Sequence, residues 1–307
     1  MASFEILPRG PYSLAASTAF LEGFTPAAYT GSRSAGHLHM AFVADGSQQS
    51  VGVCVQERDG RILGEIYGQA DSRAVRSQVM RILSLDVDGS GFSLVGERDP
   101  VIGRIQARYA GLRPVLFYSP YEAAAWSLIS QRIRITQAAR IKARMAHELG
   151  TSVSIHGEPE YAFPAPQRLL GVTAFTGLFG RKVEYLHGLA LATLDGTLDA
   201  ARLRQLTVDQ ALTQLKRLLG IGDFSADLIV LRGVGKVDML PTHEPRLLQA
   251  VKRAYRLDFE PDAGRLAQIA ENWRPYRTWV SVLLRSWLED ETHQIAGRSR
   301  RAGHAAA

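Results

Sequence analysis

Two glycines separated by a single residue, set between two apolar-periodic segments, constrain this chain more than any other feature. Val208 to Leu218 repeats apolar residues at helical spacing, Leu219-Gly220-Ile221-Gly222 follows, and Ala226 to Arg232 is periodic again. Two helices joined by a Gly-x-Gly turn make a helix–hairpin–helix, because glycine permits the tight turn and a close backbone approach. The N–H groups that open the second helix then face outward, ready to hold a phosphate. Alone, this hairpin predicts contact with nucleic acid without sequence preference. The segment Asp238-Met239-Leu240-Pro241-Thr242-His243-Glu244 adds a carboxylate, Glu244, just after a turn and twenty-two positions beyond Gly222.

The 307 residues suffice for two or three packed units, and a hydrophobic fraction of 46% is that of a globular protein. No run approaches the roughly 18 apolar residues of a membrane span, and the N-terminus has no charged segment followed by an apolar core. A membrane partner is therefore not expected, and the location expected is cytoplasmic, in association with the nucleoid. The single cysteine, Cys54, excludes an intrachain disulfide and a multi-cysteine metal site. It lies in the apolar run Val51-Gly52-Val53-Cys54-Val55 and reads as a buried small hydrophobe. His37, His39, His156, His187 and His243 show no ligand spacing, so no zinc site is expected. A net charge of +6, with arginine dominant, suits a polyanionic partner.

Residues 1–99 read as an α+β unit. His37–Val43, Ser50–Glu57 and Ile62–Tyr67 have strand character with Asp-Gly turns between them, and Leu14–Leu21 and Ser72–Leu83 have helical character. From Pro100 helical periodicity dominates: Pro120–Leu149 as one or two helices, then Gln167–Gly171, Lys182–Leu191, Val208–Leu218, Leu247–Tyr255, Arg265–Asn272 and Tyr276–Leu288. Glu158–Pro166, rich in proline and aromatics, reads as a loop. The fold expected is an α+β N-terminal domain followed by a mostly α-helical body of two subdomains carrying the hairpin. One helical domain spans 119–236. The second subdomain is made of 100–118 and 237–292, and 293–307 is a disordered basic tail. A ligand belongs in the cleft between the two helical subdomains.

Several further stretches carry a resemblance. Pro11-Tyr12, Gly111-Leu112-Arg113-Pro114, Pro120-Tyr121-Glu122, Ser130-Gln131-Arg132-Ile133, Phe163-Pro164-Ala165-Pro166-Gln167-Arg168-Leu169, Leu231-Arg232-Gly233, Trp273-Arg274-Pro275-Tyr276-Arg277 and Leu284-Arg285-Ser286-Trp287 accompany the hairpin in order. In this arrangement the chain resembles the helix–hairpin–helix superfamily of DNA glycosylases, and within it the 3-methyladenine DNA glycosylase II type. The resemblance covers nearly the whole chain. It implies a glycosylase that flips a damaged, alkylated base out of double-stranded DNA and hydrolyses its N-glycosidic bond in base excision repair. It implies no cofactor, and a monomer is expected.

That family places a catalytic aspartate a fixed distance after the hairpin. Counting from Gly222 through Asp238 and Pro241, the position falls on Glu244, one methylene longer. Other registers put His243 or Pro241 there, the latter resembling the Thr-His-x-x-Arg run of the endonuclease branch. A carboxylate beside the sugar stabilises an oxocarbenium-like transition state and can orient a water. The bland alternative for Glu244 is a helix-start carboxylate. The lytic branch uses a hairpin lysine as a Schiff-base nucleophile. Here Asp223 and Phe224 follow Gly222 and Lys236 lies in a later turn, so no lyase activity is expected.

For the base pocket the resemblance implies Phe224 and Trp287, with Leu228 where an aromatic would widen the surface; Trp273, nearby in sequence on the closing helices, is a further candidate, and Trp279 is read as core packing. For DNA contact it implies Gly220, Gly222 and Phe224 through backbone N–H groups. Gln131 and Arg132 lie at the turn that fills the vacated stack, and Arg246 and His243 are helpers. A monovalent cation on the hairpin carbonyls is implied, with no metal held by side chains. Three alternatives remain: a catalytically silent damaged-DNA-binding protein of the same fold, a slow enzyme, or a glycosylase for a different modified base.

Overall fold

The computed structural model describes residues 2–23 and 36–292. The expected basic tail, 293–307, lies outside the described residues. Four antiparallel strands form the N-terminal sheet in the order β1-β4-β3-β2: β1 (Ala2–Ile6), β2 (His37–Val43), β3 (Ser50–Arg58) and β4 (Arg61–Tyr67). Side chains alternate across a strand. On β2, Leu38, Met40 and Phe42 therefore enter one apolar cluster with Val75, Val79 and Ile82 of α2 (Ser72–Ile82), while His37 and His39 face the other way. Helix α1 (Leu14–Gly23) contributes Leu14 and Leu21 to the same core.

That opposite face is covered by a second sheet that the loop expectation for Glu158–Pro166 missed. Glu158–Ala162 is a strand, β6, paired antiparallel with β5 (Thr151–Ile155). Pro159 argued against a strand because it lacks a donor, but a short two-stranded ribbon tolerates it at an edge. The ribbon packs on β2, β3 and β4. Gly52 makes this possible: a Cβ there would lie 2.8 Å from Ile155 Cγ1 and 2.9 Å from Val153 Cγ1.

The helical body starts with α3 (Ser93–Arg98) and α4 (Pro100–Arg108) and continues through α5 (Pro120–Ile129) and α6 (Ile135–Leu149). The long periodic stretch 120–149 is thus two helices, broken at Arg132, whose φ is +58°. After α7 (Pro166–Leu170), α8 (Lys182–Leu194) and α9 (Ala200–Gln205) come the hairpin helices α10 (Val208–Leu215) and α11 (Asp223–Leu228). The latter runs on as a π-helical turn, Ile229–Val234. The body closes with α12 (Pro245–Ala254), α13 (Ala263–Ala270) and α14 (Arg277–Thr292). Side-chain caps set several starts: Ser119 for α5, a Thr207–Gln210 capping box for α10 and Asp262 for α13.

The helical body has two cores. One joins α5, α6, α8, α10, α11 and the π turn; the other joins α4, α12, α13 and α14. Val95, inside the span assigned to the N-terminal unit, packs in the second of these. The fully buried guanidinium of Arg113 ties the units together, donating to the carbonyls of Pro11, Gly10, Ser84 and Val87.

Candidate active site

Between the two helical cores lies a cleft of about 570 Å³. Residues of α5, α11 and the π turn line one wall, α12 and α14 the other, and Ala16 and Phe20 of α1 also border it. Glu244 is in this cleft, as are Phe224, Leu228 and His243.

Glu244 is the N-cap of α12. Its Oε1 accepts from the Arg246 N–H at 3.1 Å, as an acid at a helix N-terminus is expected to do. Its Oε2 lies 2.7 Å from Nη1 of Arg285, which reaches across from α14. The helix-start role and the cleft position therefore coexist, and Arg285 lines the same cleft. Burial holds the Arg285 guanidinium below its usual range, and Glu244 opposes that shift. The neighbouring Arg232, from the π turn, is lowered by burial and by the charge of Arg285. Its guanidinium sits 5.1 Å from the Phe20 ring and donates to the Val115 carbonyl at 2.6 Å.

Besides Glu244 and the α14 acids Glu289 and Asp290, the cleft is lined by a carboxylate that was not foreseen. Asp227 on α11 is buried, and its Oδ2 is 2.9 Å from Nδ1 of His243, hydrogen-bond distance with the ring N–H donating. The signal in the sequence was an acid among Ala226, Leu228 and Ile229 on the apolar side of a helix. Buried acids need a partner. His243 supplies it from the loop before α12, with its own ring more than half exposed.

The aromatic assignments change. Trp273 is fully buried in the second helical core, where its indole N–H donates to the Tyr255 hydroxyl and Asp99. Trp287 faces a separate small hollow with Val101, Arg104, Ile105, Arg108 and Ala254. Neither lines the cleft. The reason is helical phase: Ser281, Arg285 and Glu289 share the cleft-facing stripe of α14, and Trp287, two residues past Arg285, points away from it. Trp279 is core, as expected. The cleft's aromatic surface comes instead from Phe224, half exposed at the start of α11, together with Phe20, Tyr109 and Trp126.

The hairpin is held from one side by the α5–α6 turn. Gln131 Nε2 donates to the Gly220 carbonyl at 2.8 Å, and Lys182 Nζ donates to the carbonyls of Ile129 and Gln131, each at 2.8 Å. One hairpin carbonyl is thereby engaged, and Gln131 serves as a brace for the hairpin. Beside it Arg132 stays exposed in a left-handed backbone conformation. Gly220, at φ +84°, is required twice over, since a Cβ would come within 2.7 Å of Leu128 and Tyr185. Gly222 is extended and caps α11 without a side chain. Across the turn Lys216 pairs with Asp223 at 3.0 Å and keeps that carboxyl below its ordinary value. Arg246 is paired with Glu289 at 3.3 Å. Lys236 donates to the carbonyls of Arg204 and Leu206 and does not line the cleft.

A separate group of side chains overturns the reading that the histidines lack ligand spacing. One potential ligand atom from each of His37, His39, Cys54 and His156 lies within 4.8 Å of the other three. Cys54 is buried as expected, but on the face that carries these rings.

No protein-family model matches the chain. It is 23% identical over 226 residues to a DNA-3-methyladenine glycosylase of Bacillus subtilis (strain 168), covering 70% of this chain and 75% of that one. It is 28% identical over 191 residues to DNA-3-methyladenine glycosylase 2 of Escherichia coli (strain K12), covering 61% of this chain and 63% of that one. A solved 3-methyladenine DNA-glycosylase from Archaeoglobus fulgidus superposes with a TM-score of 0.76 at 22% identity, over 96% of this chain and all of the other. No described helix is long and apolar enough to cross a membrane. The chain has the fold of the helix–hairpin–helix DNA glycosylases and is similar in sequence to DNA-3-methyladenine glycosylases.

Proposed function

We propose that this chain is a monofunctional DNA glycosylase that removes alkylated bases from double-stranded DNA, acting as a monomer in the cytoplasm at the nucleoid. The observation that carries the reading is Glu244, held in the inter-subdomain cleft by the Arg246 N–H and by Arg285. Backbone N–H groups at Gly220, Gly222 and Phe224 anchor a phosphate beside the cleft, and a monovalent cation on hairpin carbonyls strengthens that anchor. Arg132 enters the gap left in the duplex, and the everted base meets Phe224 and Leu228. His243, exposed at the mouth, and Arg246, once released from Glu289, face the backbone.

Both oxygens of Glu244 are engaged. That suits electrostatic stabilisation of the positive charge that builds on the sugar as the glycosidic bond breaks, with water as the nucleophile. An everted base that is itself cationic leaves readily, so little proton transfer is asked of the protein. The reading without lyase chemistry is supported by the cleft lining, which includes no lysine among the described residues. Similarity to the curated glycosylases supports alkylated purines as substrates.

The test uses duplexes carrying alkylated and other modified bases, with hot alkali to cut abasic sites. Glu244→Gln should lower the single-turnover excision rate by about a hundredfold or more, while duplex affinity is retained. Full excision by Glu244→Gln removes Glu244 from the mechanism. Salt-sensitive binding without excision of any lesion identifies a silent binding protein.

A further inference from the structure

Away from the cleft, the N-terminal sheet and the β5–β6 ribbon bring together four groups of one chemical kind. His37 and His39 are two positions apart on β2 and so share a face. Cys54 on β3 is the direct cross-strand partner of His39. His156 forms the two-residue ribbon turn with Gly157, and its φ of +52° aims the ring back at the sheet. The His39 and His156 rings are 5.3 Å apart between centroids, and those of His37 and His156 6.0 Å. His37 Nδ1 lies 3.4 Å from Cys54 Sγ. None of the four lines the cleft.

We propose that His37, His39, Cys54 and His156 bind one zinc ion, which clasps the ribbon of the helical domain to the N-terminal sheet. Three imidazoles and a thiolate form a tetrahedral set of borderline and soft ligands suited to Zn²⁺. With Zn–N near 2.0–2.1 Å and Zn–S near 2.3 Å, the ligand atoms of a tetrahedral site with one sulfur stand about 3.3–3.6 Å apart. The His37–Cys54 distance already meets this, and since all four atoms lie within 4.8 Å of one another, no pair needs to close by more than about 1.5 Å. His156 is exposed and free to make that adjustment. All four positions come from protein, as in a structural site. An outer layer is present too. The Tyr67 hydroxyl donates to Glu65 at 2.9 Å and lies 3.2 Å from Nδ1 and 3.4 Å from Nε2 of His156, so it can accept from whichever ring nitrogen is not on the metal. Binding would displace the Cys54 proton to solvent.

The experiment uses the full chain without an affinity tag and purified without chelator. Elemental analysis should find one zinc per chain. After removal of zinc, cobalt(II) should give tetrahedral d–d bands together with a thiolate-to-cobalt charge-transfer band. Cys54→Ser should lose the charge-transfer band. His156→Ala, in an exposed turn and therefore safe for folding, should weaken metal affinity more than about tenfold. Chelation should lower the melting temperature yet leave excision intact below the transition. The proposal is overturned by a chain free of zinc whose apo form gives no tetrahedral cobalt spectrum. Unchanged zinc affinity in both variants also overturns it, as does one equivalent of copper in place of zinc.

Discussion

Glu244 and Asp227 reach the same cleft under different restraints. Glu244 caps α12 and faces a guanidinium, whereas Asp227 is buried and faces an imidazole. An acid braced by an arginine keeps its charge in place beside a reacting sugar, and an acid braced by a histidine orients that ring. Asp227→Asn should therefore reduce single-turnover excision by about tenfold or less, well short of the effect of Glu244→Gln. The opposite ranking, measured on one duplex under one set of conditions, transfers the leading role to Asp227. Glu244 could be picked out beforehand because its distance from Gly222 lies along the chain. Asp227 could not, because what marks it is the histidine that folding brings alongside.

At the scale of elements the hairpin depends on one glycine far more than on the other. Gly220 combines a left-handed φ with side chains packed where its Cβ would go, while nothing lies within 4 Å of the Cβ position at Gly222, which is extended. Gly220→Ala should cost about 1–3 kcal/mol and weaken duplex binding, because the strain falls on the carbonyl that Gln131 holds. Gly222→Ala should cost only about 0.5–1 kcal/mol, the difference between glycine and alanine at an N-cap. Urea unfolding of the two variants checks this, and equal losses would mean that the packing around Gly220 yields.

The longer helices were legible to within a few residues, since each buries an apolar stripe of 3.6 period on its own, whereas the six-residue α3 and α9 are too short to show one. The strands β1, β5 and β6 were not. Each is five residues long, and their pairing partners, not their patterns, make them strands. Trp273 and Trp287 failed for a related reason: composition identifies an aromatic residue, but the rotation of its helix decides which cavity it meets.

Across the whole molecule, stability should carry a pH signature from one buried acid. Glu122, in α5, is fully enclosed and 3.3 Å from Lys142 of α6. Burial raises its carboxyl above the ordinary 4.5, and Lys142 offsets only part of that. A group titrating higher in the folded state stabilises fully below its unfolded value and loses that contribution as pH rises through its folded value. Glu122→Gln removes this ionisation. Its melting temperature should therefore fall less steeply than the parent's as pH rises from 4.5. Parallel profiles at matched salt would exclude Glu122 as a source of the slope.

Covalent order was enough for what depends on neighbours in the chain: the helical periods, the glycine turn, the fixed interval from that turn to Glu244, and the α+β to α division of the molecule. Folding alone decided what depends on distant neighbours. Arg285 meets Glu244, His243 meets Asp227, and His156 comes to rest on His37, His39 and Cys54 from more than a hundred residues further on. Periodicity records which face of an element is buried, but it carries no information about which other element will cover that face. Charge pairs, ligand sets and cleft walls are built from those second elements, so they come into being only when the cores pack.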